Sequence, residues 1–361
     1  MSAPTSTAVT QSEHSGGDRR PPGRVRTLWD ALGTKAYLFS VGALVVLAGW
    51  GLSPYFLTSR NLVAVLITAS VVSILAVGQF MVIVTGGIDL SVGSVAALSS
   101  VVSALALQNG VPMVLAVVIG LVVGGVVGLF NGILIVYGGI TPFIVTLAML
   151  SVARGLAYLI QTGRFVPIEN DSFMSVFNGD VAGVPSPVLI ALVVTVVAAG
   201  ALALMPFGRR LYAIGSNPEA ARLSGLPVRR DVLRAYFLSS TLAGLGGMMI
   251  AAQLTEGSAI IGNEYELNSI AAVVVGGASL FGGSGDPISA VVGGLIIAMI
   301  LNIMDLLGVQ AQTQLIVKGA VIVLAVLFTT GRGREGIRRL WTLVRGRRTA
   351  HSQGEPAGES A

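Results

Sequence analysis

The sequence predicts an all-α protein, a polytopic membrane helix bundle of about ten transmembrane helices with the N- and C-termini cytoplasmic. Three observations lead there. Hydrophobic residues make up 53% of the 361 and charged residues 11%, against roughly 25% charged in an average soluble domain. Apolar runs of membrane-spanning length recur along most of the chain. The arginines gather outside those runs, on alternate sides of them.

The runs come first. They lie near 36–52, 61–85, 91–107, 111–137, 140–161, 187–206, 232–253, 269–282, 287–304 and 313–330, judged against the roughly 17–25 residues that cross hydrocarbon as a helix. The eighth is short and Gly-rich, which predicts a broken or re-entrant element. Residues 1–34 are rich in Ser, Thr, Pro, Gly and Arg and read as a disordered cytoplasmic tail. Residues 35–331 then form the transmembrane domain, and 332–361 a basic cytoplasmic tail.

Charge tests this count. Arg19, Arg20, Arg24, Arg26 and Lys35 place the N-terminus inside. Ten crossings put the 207–231 loop inside too, where Arg209, Arg210, Arg222, Arg229 and Arg230 stand. The same parity puts the 162–186 and 254–268 loops outside, and these carry Glu169, Asp171, Asp180, Glu256, Glu264 and Glu266 with Arg164. Residues beyond 331 return inside with seven arginines from Arg332 to Arg348. Ile337, Leu340, Trp341 and Val344 follow the spacing of an interfacial amphipathic helix.

Several functions are excluded by composition. Cysteine is absent, and the histidines are His14 and His351, both in the polar tails. A thiolate or imidazole metal site and histidine catalysis are therefore not expected, and the reading is of a chain without enzymatic activity or cofactor. The basic balance of +5 belongs to orientation in the membrane and its lipid surface, not to nucleic acid. A phosphate-cradling loop needs G-x-x-x-x-G-K-[ST]. The lysines are Lys35 and Lys318, and neither follows glycine. If transport here runs on ATP, another polypeptide hydrolyses it.

The strongest local feature is GGIDLSVGS over 86–94. Gly86 and Gly87 can break a helix, and Asp89 or Ser91 can cap the restarted one. Irregular backbone at membrane depth is tolerated only within protein or beside a water-filled cavity. Two readings stay open: a pathway or gate at the cytoplasmic side, or a capped interfacial turn. Gly120, Gly124, Gly128 and Gly132 repeat every four residues, a device for close helix approach. Asn131 falls near that face and could meet a polar solute. Arg154 sits well inside the fifth run, either snorkelling or facing a polar pathway. Lys318 reads as snorkelling, and Asp286 and Asp305 as caps or interface residues. Gln79, Asn131, Asn268 and Asn302 are neutral groups suited to a hydroxylated solute or to helix–helix hydrogen bonds.

In the 207–231 loop, residues 218–227 predict a short helix. Pro218 suits its first turn, Glu219 the positive end, Gly225 its stop, and Asn217 or Ser216 its cap. A helix of two turns is marginal alone in water, so its persistence implies docking to a partner.

The chain also resembles the permease subunits of the ribose, xylose and galactose class of bacterial ABC importers. The resemblance spans about 40–330 and rests on VIVTGGIDLSVGSVAAL (82–98), NGILIVYGGITPFIVTLAMLSVARGL (131–156), GRRLYAIGSNPEAARLSGL (208–226) and AAVVVGGASLFGG (271–283). It implies a multi-pass protein of the bacterial inner membrane that moves a monosaccharide or similar solute by alternating access. It further implies a second permease copy, two cytoplasmic ABC ATPase subunits and an extracytoplasmic solute-binding protein. The EAA-then-Gly pattern of permease coupling loops falls on Glu219, Ala220, Ala221 and Gly225; the later Ile-x-Leu-Pro part of the general consensus is not present. The translocation pathway or gate is expected at Gly86, Gly87, Asp89, Ser91, Asn131 and Arg154. Alternatives are an ion-coupled secondary transporter, or an importer permease for a nucleoside or another small polar solute.

Overall fold

The structure is a computed structural model describing residues 24–161 and 163–329. Its helices are α1 (Arg24–Leu52), α2 (Ser59–Ile83), α3 (Val92–Gln108), α4 (Met113–Val136), α5 (Pro142–Ile160), α6 (Asp171–Asn178), α7 (Ser186–Leu204), α8 (Pro206–Ser216), α9 (Pro218–Leu223), α10 (Val228–Leu254), α11 (Tyr265–Val275), α12 (Pro287–Leu306) and α13 (Ala311–Thr329). Two antiparallel strand pairs complete it: β1 (Val166–Pro167) with β4 (Glu256–Gly257), and β2 (Asp180–Val181) with β3 (Val184–Pro185). The strands and α6 lie in the segments read as plain loops. Asn170 starts α6 by accepting from the Phe173 N–H at 2.9 Å, and Phe173 and Phe177 bury its apolar face.

Helices α2, α4, α5, α7, α10 and α12 are long and apolar enough to cross a membrane. The apolar stretches 36–52, 92–108, 265–275 and 311–327 are shorter. Most bounds fall within a few residues of the apolar runs, because a span needs its apolar length whatever its neighbours are.

Two differ. Helix α1 begins at Arg24, inside the stretch read as a disordered tail. Val25, Leu28, Trp29 and Leu32 recur there at i, i+3, i+4 and i+7, an amphipathic helical period. The eighth run is the other. Helix α11 has 11 residues, about 16 Å at 1.5 Å per residue, roughly half a hydrocarbon core. It starts four residues before the predicted run and stops at Gly276 and Gly277, the second at φ +87°, so the broken element predicted there is a short helix followed by irregular backbone. The basic tail after 331 and the amphipathic pattern at 337–344 lie outside the described residues.

Helix α10 is the hub, packed by α4 along its length and by α2 and α3 beside it. The α4 contact runs through the glycine row: a Cβ on Gly128 would fall 2.7 Å from Ser240 Cβ, and one on Gly132 would fall 3.1 Å from Leu233 Cα. Gly128→Leu therefore pushes two candidate spans apart. Overpacking of this kind costs about 1–3 kcal/mol, and the variant is expected to melt several degrees below wild type in detergent. An unchanged melting temperature would show that the two helices do not touch there.

Candidate functional site

The segment between α2 and α3 turns twice. Thr85 and Gly86 close a turn on Val82 and Ile83, with Gly86 at φ +85°. Residues 87–91 then run outside any helix or strand, with Gly87, Asp89 and Ser91 buried, before α3 begins. Its backbone is satisfied from the sides, as buried irregular chain requires. Thr146 of α5 donates to the Ile88 carbonyl at 3.2 Å. The Gln79 amide, oriented to suit its surroundings, donates to the Asp89 carbonyl at 3.1 Å and accepts from the Asp89 N–H at 3.2 Å. Gln79 thus completes for Asp89 what a neighbouring strand would.

The Asp89 side chain is fully buried. Its Oδ1 accepts from Ser91 Oγ at 2.6 Å and the Ser91 N–H at 2.9 Å. Asp89 is no cap in the strict sense, for it bonds a residue ahead of the first turn, and Ser91 makes no side-chain cap bond. Ser239 and Ser240 face Asp89 Oδ2, near the middle of α10 and about 16–18 Å from its first residue. Asn131 of α4 donates to Ser91 Oγ at 3.0 Å. Four elements meet in one buried polar layer.

Arg154 stands apart from that layer. Its guanidinium donates to the Ile261 carbonyl at 2.7 Å and to the Ala259 carbonyl, holding the irregular chain that leads into α11. Gln161 Oε1 accepts from the Ala259 N–H at 2.6 Å. Lys318 pairs with Glu264 at 2.5 Å, tying α13 to the same segment. Asp286 caps α12 through the Ser289 N–H at 2.9 Å.

At the opposite end of α10 the predicted short helix is present but shorter, as α9. Asn217 Oδ1 accepts from the Ala220 N–H at 3.0 Å. Gly225 at φ +76° turns the chain, and the Leu226 N–H bonds the Ala221 carbonyl at 3.1 Å. Ala221 faces inward while Glu219, Arg222 and Leu223 are exposed. Arg222 hydrogen-bonds Glu219 at 2.6 Å and 3.1 Å and holds its carboxyl below the ordinary carboxylate range.

What residue reading missed is α8. Phe207, Leu211 and Ile214 at i, i+4 and i+7 were its signal, with Leu211 and Ile214 buried. Gly215, near its end, sits directly on the Val84 carbonyl, and a Cβ added to it would stand 2.5 Å from the Gly283 nitrogen. Gly283 in turn donates to the Val84 carbonyl at 2.9 Å, and Tyr212 Oη donates to the Gly285 carbonyl at 3.1 Å. Helix α8 therefore rests on two turns, the one before Asp89 and the one after α11. Buried Asp231 of α10 anchors it through Arg210.

The family described as branched-chain amino acid transport system / permease component matches residues 61–326, which span both of these turns and α8. The D-allose transport system permease protein of Escherichia coli K12 is 36% identical over 314 residues, covering 86% of this chain and 95% of the relative. The ribose import permease protein of Bacillus subtilis 168 is 41% identical over 280 residues, 76% and 86% of the two chains. The L-arabinose ABC transporter permease protein of Azospirillum brasilense is 37% identical over 275 residues, 76% and 81%.

The chain belongs to the permease family of ABC sugar importers. No solved structure matches it. The permease is accordingly a multi-pass protein of the inner membrane. Its GGIDLSVG segment is the irregular stretch around buried Asp89 with the start of α3, and its PEAARLSG segment is α9 with the Gly225 turn.

Proposed function

We propose that this permease carries a monosaccharide or similar polar solute into the cell by alternating access, driven by separate ATPase subunits. All ten apolar helices cross the membrane in this reading. The irregular stretch 88–91 completes the crossing of α3, and the irregular stretch 258–264 completes that of α11. The ends carrying α8 and α9 and both termini are cytoplasmic, supported by Arg209, Arg222, Arg229 and Arg230 there and by Glu169, Asp171 and Glu256 at the other end. Two copies form the pathway, and a binding protein delivers the solute from outside.

One observation carries the mechanism: α9 is exposed, capped and short, and α8 joins it without a gap to the two inner turns of the interrupted spans. Glu219, Ala220, Ala221 and Gly225 form the ATPase contact. Gly86, Gly87, Asp89, Ser91 and Asn131 belong to the gate that α8 moves. Arg154 belongs to its outer frame, holding the Ala259 and Ile261 carbonyls.

The test is a pull-down of the tagged permease from its native membrane, with uptake measured in parallel. A stoichiometric ATPase subunit is expected to co-purify and to be lost in Glu219→Lys and in Gly225→Pro. The first reverses the charge at the start of α9. The second places a residue fixed near φ −65° where the chain needs a positive φ. Uptake is expected to fall to background in both variants with insertion unchanged. A permease that purifies alone and moves solute on an ion gradient would end this reading.

A further inference from the structure

The environment of Asp89 poses a charge problem. Among the described residues the ion pairs are Arg210–Asp231, Arg234–Asp231, Arg222–Glu219 and Lys318–Glu264, and Asp89 is in none of them. A buried carboxylate without a counter-charge costs several kcal/mol at least, and more so within a membrane protein.

Its two oxygens are served unequally. Oδ1 has close donors in Ser91. Oδ2 has Ser239 Oγ and Ser240 Oγ, both at 3.5 Å, far outside the roughly 2.5–2.7 Å of a hydroxyl on a carboxylate. A proton on Oδ2 would draw one of these hydroxyls to about 2.7 Å. A water would satisfy the hydroxyls and leave the charge. Oxygens that share a hard cation at about 2.4 Å each, at a right angle, lie about 3.4 Å apart, and this is close to the spacing observed.

A second observation stands independently of the first. Asn131 Oδ1 and Tyr236 Oη are buried oxygens without a hydrogen-bond partner. The Asn131 Nδ2 is held by Ser91 Oγ, the hydroxyl that donates to Asp89 Oδ1, and Tyr236 Oη lies against Gly87, two residues before Asp89. Buried polar atoms are almost always satisfied. The donors are thus carboxylate, hydroxyl and amide oxygens, with no nitrogen or sulfur ligand among them, which suits a hard cation. One carboxylate balances one positive charge; a divalent ion would leave the layer charged.

We propose that this layer binds a single Na⁺ between Asp89, Ser239, Ser240 and the Asn131 carbonyl oxygen, with Tyr236 beside it. The ion neutralises Asp89 and ties the irregular 88–91 stretch to α4 and α10. Asp89, Ser240, Asn131 and Tyr236 have no solvent exposure, so the ion is a resident part of the fold and not a driving ion.

The test needs no transport, so its failure would leave the importer reading intact. The melting temperature of the full-length permease is followed in detergent as NaCl replaces choline chloride at constant ionic strength and pH. A cation bound only by the folded chain stabilises it in proportion to its saturation, so wild type is expected to rise by several degrees to a plateau. Asp89→Asn is expected to show no rise. Ser240→Ala, which removes one ligand, is expected to need about tenfold more NaCl to reach its midpoint. Should Asp89→Asn fail to fold, the wild-type and Ser240→Ala curves decide. The proposal is overturned by a wild-type melting temperature that is equal in NaCl and choline chloride, by one that responds to pH alone, or by a Na⁺ response that survives Asp89→Asn or keeps its midpoint in Ser240→Ala.

Discussion

Gly215→Val is expected to cut solute uptake by at least about tenfold while ATP hydrolysis by the assembled complex continues. The valine side chain has no space to enter. Its Cβ alone would meet the Val84 carbonyl oxygen and stand 2.5 Å from the Gly283 nitrogen, and both are backbone atoms that cannot swing aside as a side-chain tip would. Helix α8 must lift or the Gly283–Val84 hydrogen bond must part. Overpacking on this scale costs about 1–3 kcal/mol, and every 1.4 kcal/mol is a factor of ten in the balance between two arrangements. The exposed face of α9 is untouched, so docking should persist and only transmission should fail. Uptake and hydrolysis measured together in proteoliposomes would separate the two. Uptake at the wild-type rate would remove α8 from the mechanism.

Asp231→Ala is the second large effect. Asp231 is fully buried, and both its oxygens are used: Arg210 donates from Nε and, at 3.1 Å, from Nη2, while Arg234 donates from Nη1 at 3.3 Å. Removing one partner of a buried pair costs about 3–5 kcal/mol when the other charge stays buried. Here the arginines are 24% and 42% exposed, so water recovers part of the loss and about 2–3 kcal/mol is the expected cost. Asp231→Asn keeps the shape and one acceptor and should lie between. Melting temperatures in detergent would rank the three proteins. A melting temperature of Asp231→Ala equal to wild type would mean that α8 is held to α10 by packing alone.

Much of the bundle was legible because a membrane imposes one-dimensional requirements. The run 111–137 became α4, and 287–304 became α12, since the apolar length of a span is set by the bilayer and not by its neighbours. The Gly120-to-Gly132 row was legible as packing for the same reason, because small residues at four-residue spacing share a helix face. Gln79 and Asn131 stood out as polar groups in apolar runs, although nothing in the chain said what they bond. Ser239 and Ser240 did not stand out at all. Serine is common in helices, and their importance comes only from a carboxylate 150 and 151 positions away. Helix α8 was hidden by its arginines, which drew attention to charge and away from Phe207, Leu211 and Ile214.

Apolar length, charge asymmetry and local punctuation belong to short stretches of chain, and so the sequence by itself determined the membrane class, the placement of the apolar helices, the broken eighth run and the short helix after Asn217 with its Gly225 stop. Only the tertiary structure decided which polar groups share a layer. It brought Asp89 to the middle of α10, set Arg154 on the Ala259 and Ile261 carbonyls, and seated Gly215 on two turns at once. Those meetings depend on the pairing, depth and crossing of helices far apart in the chain, which the free energy of the whole packed bundle selects and no local pattern records.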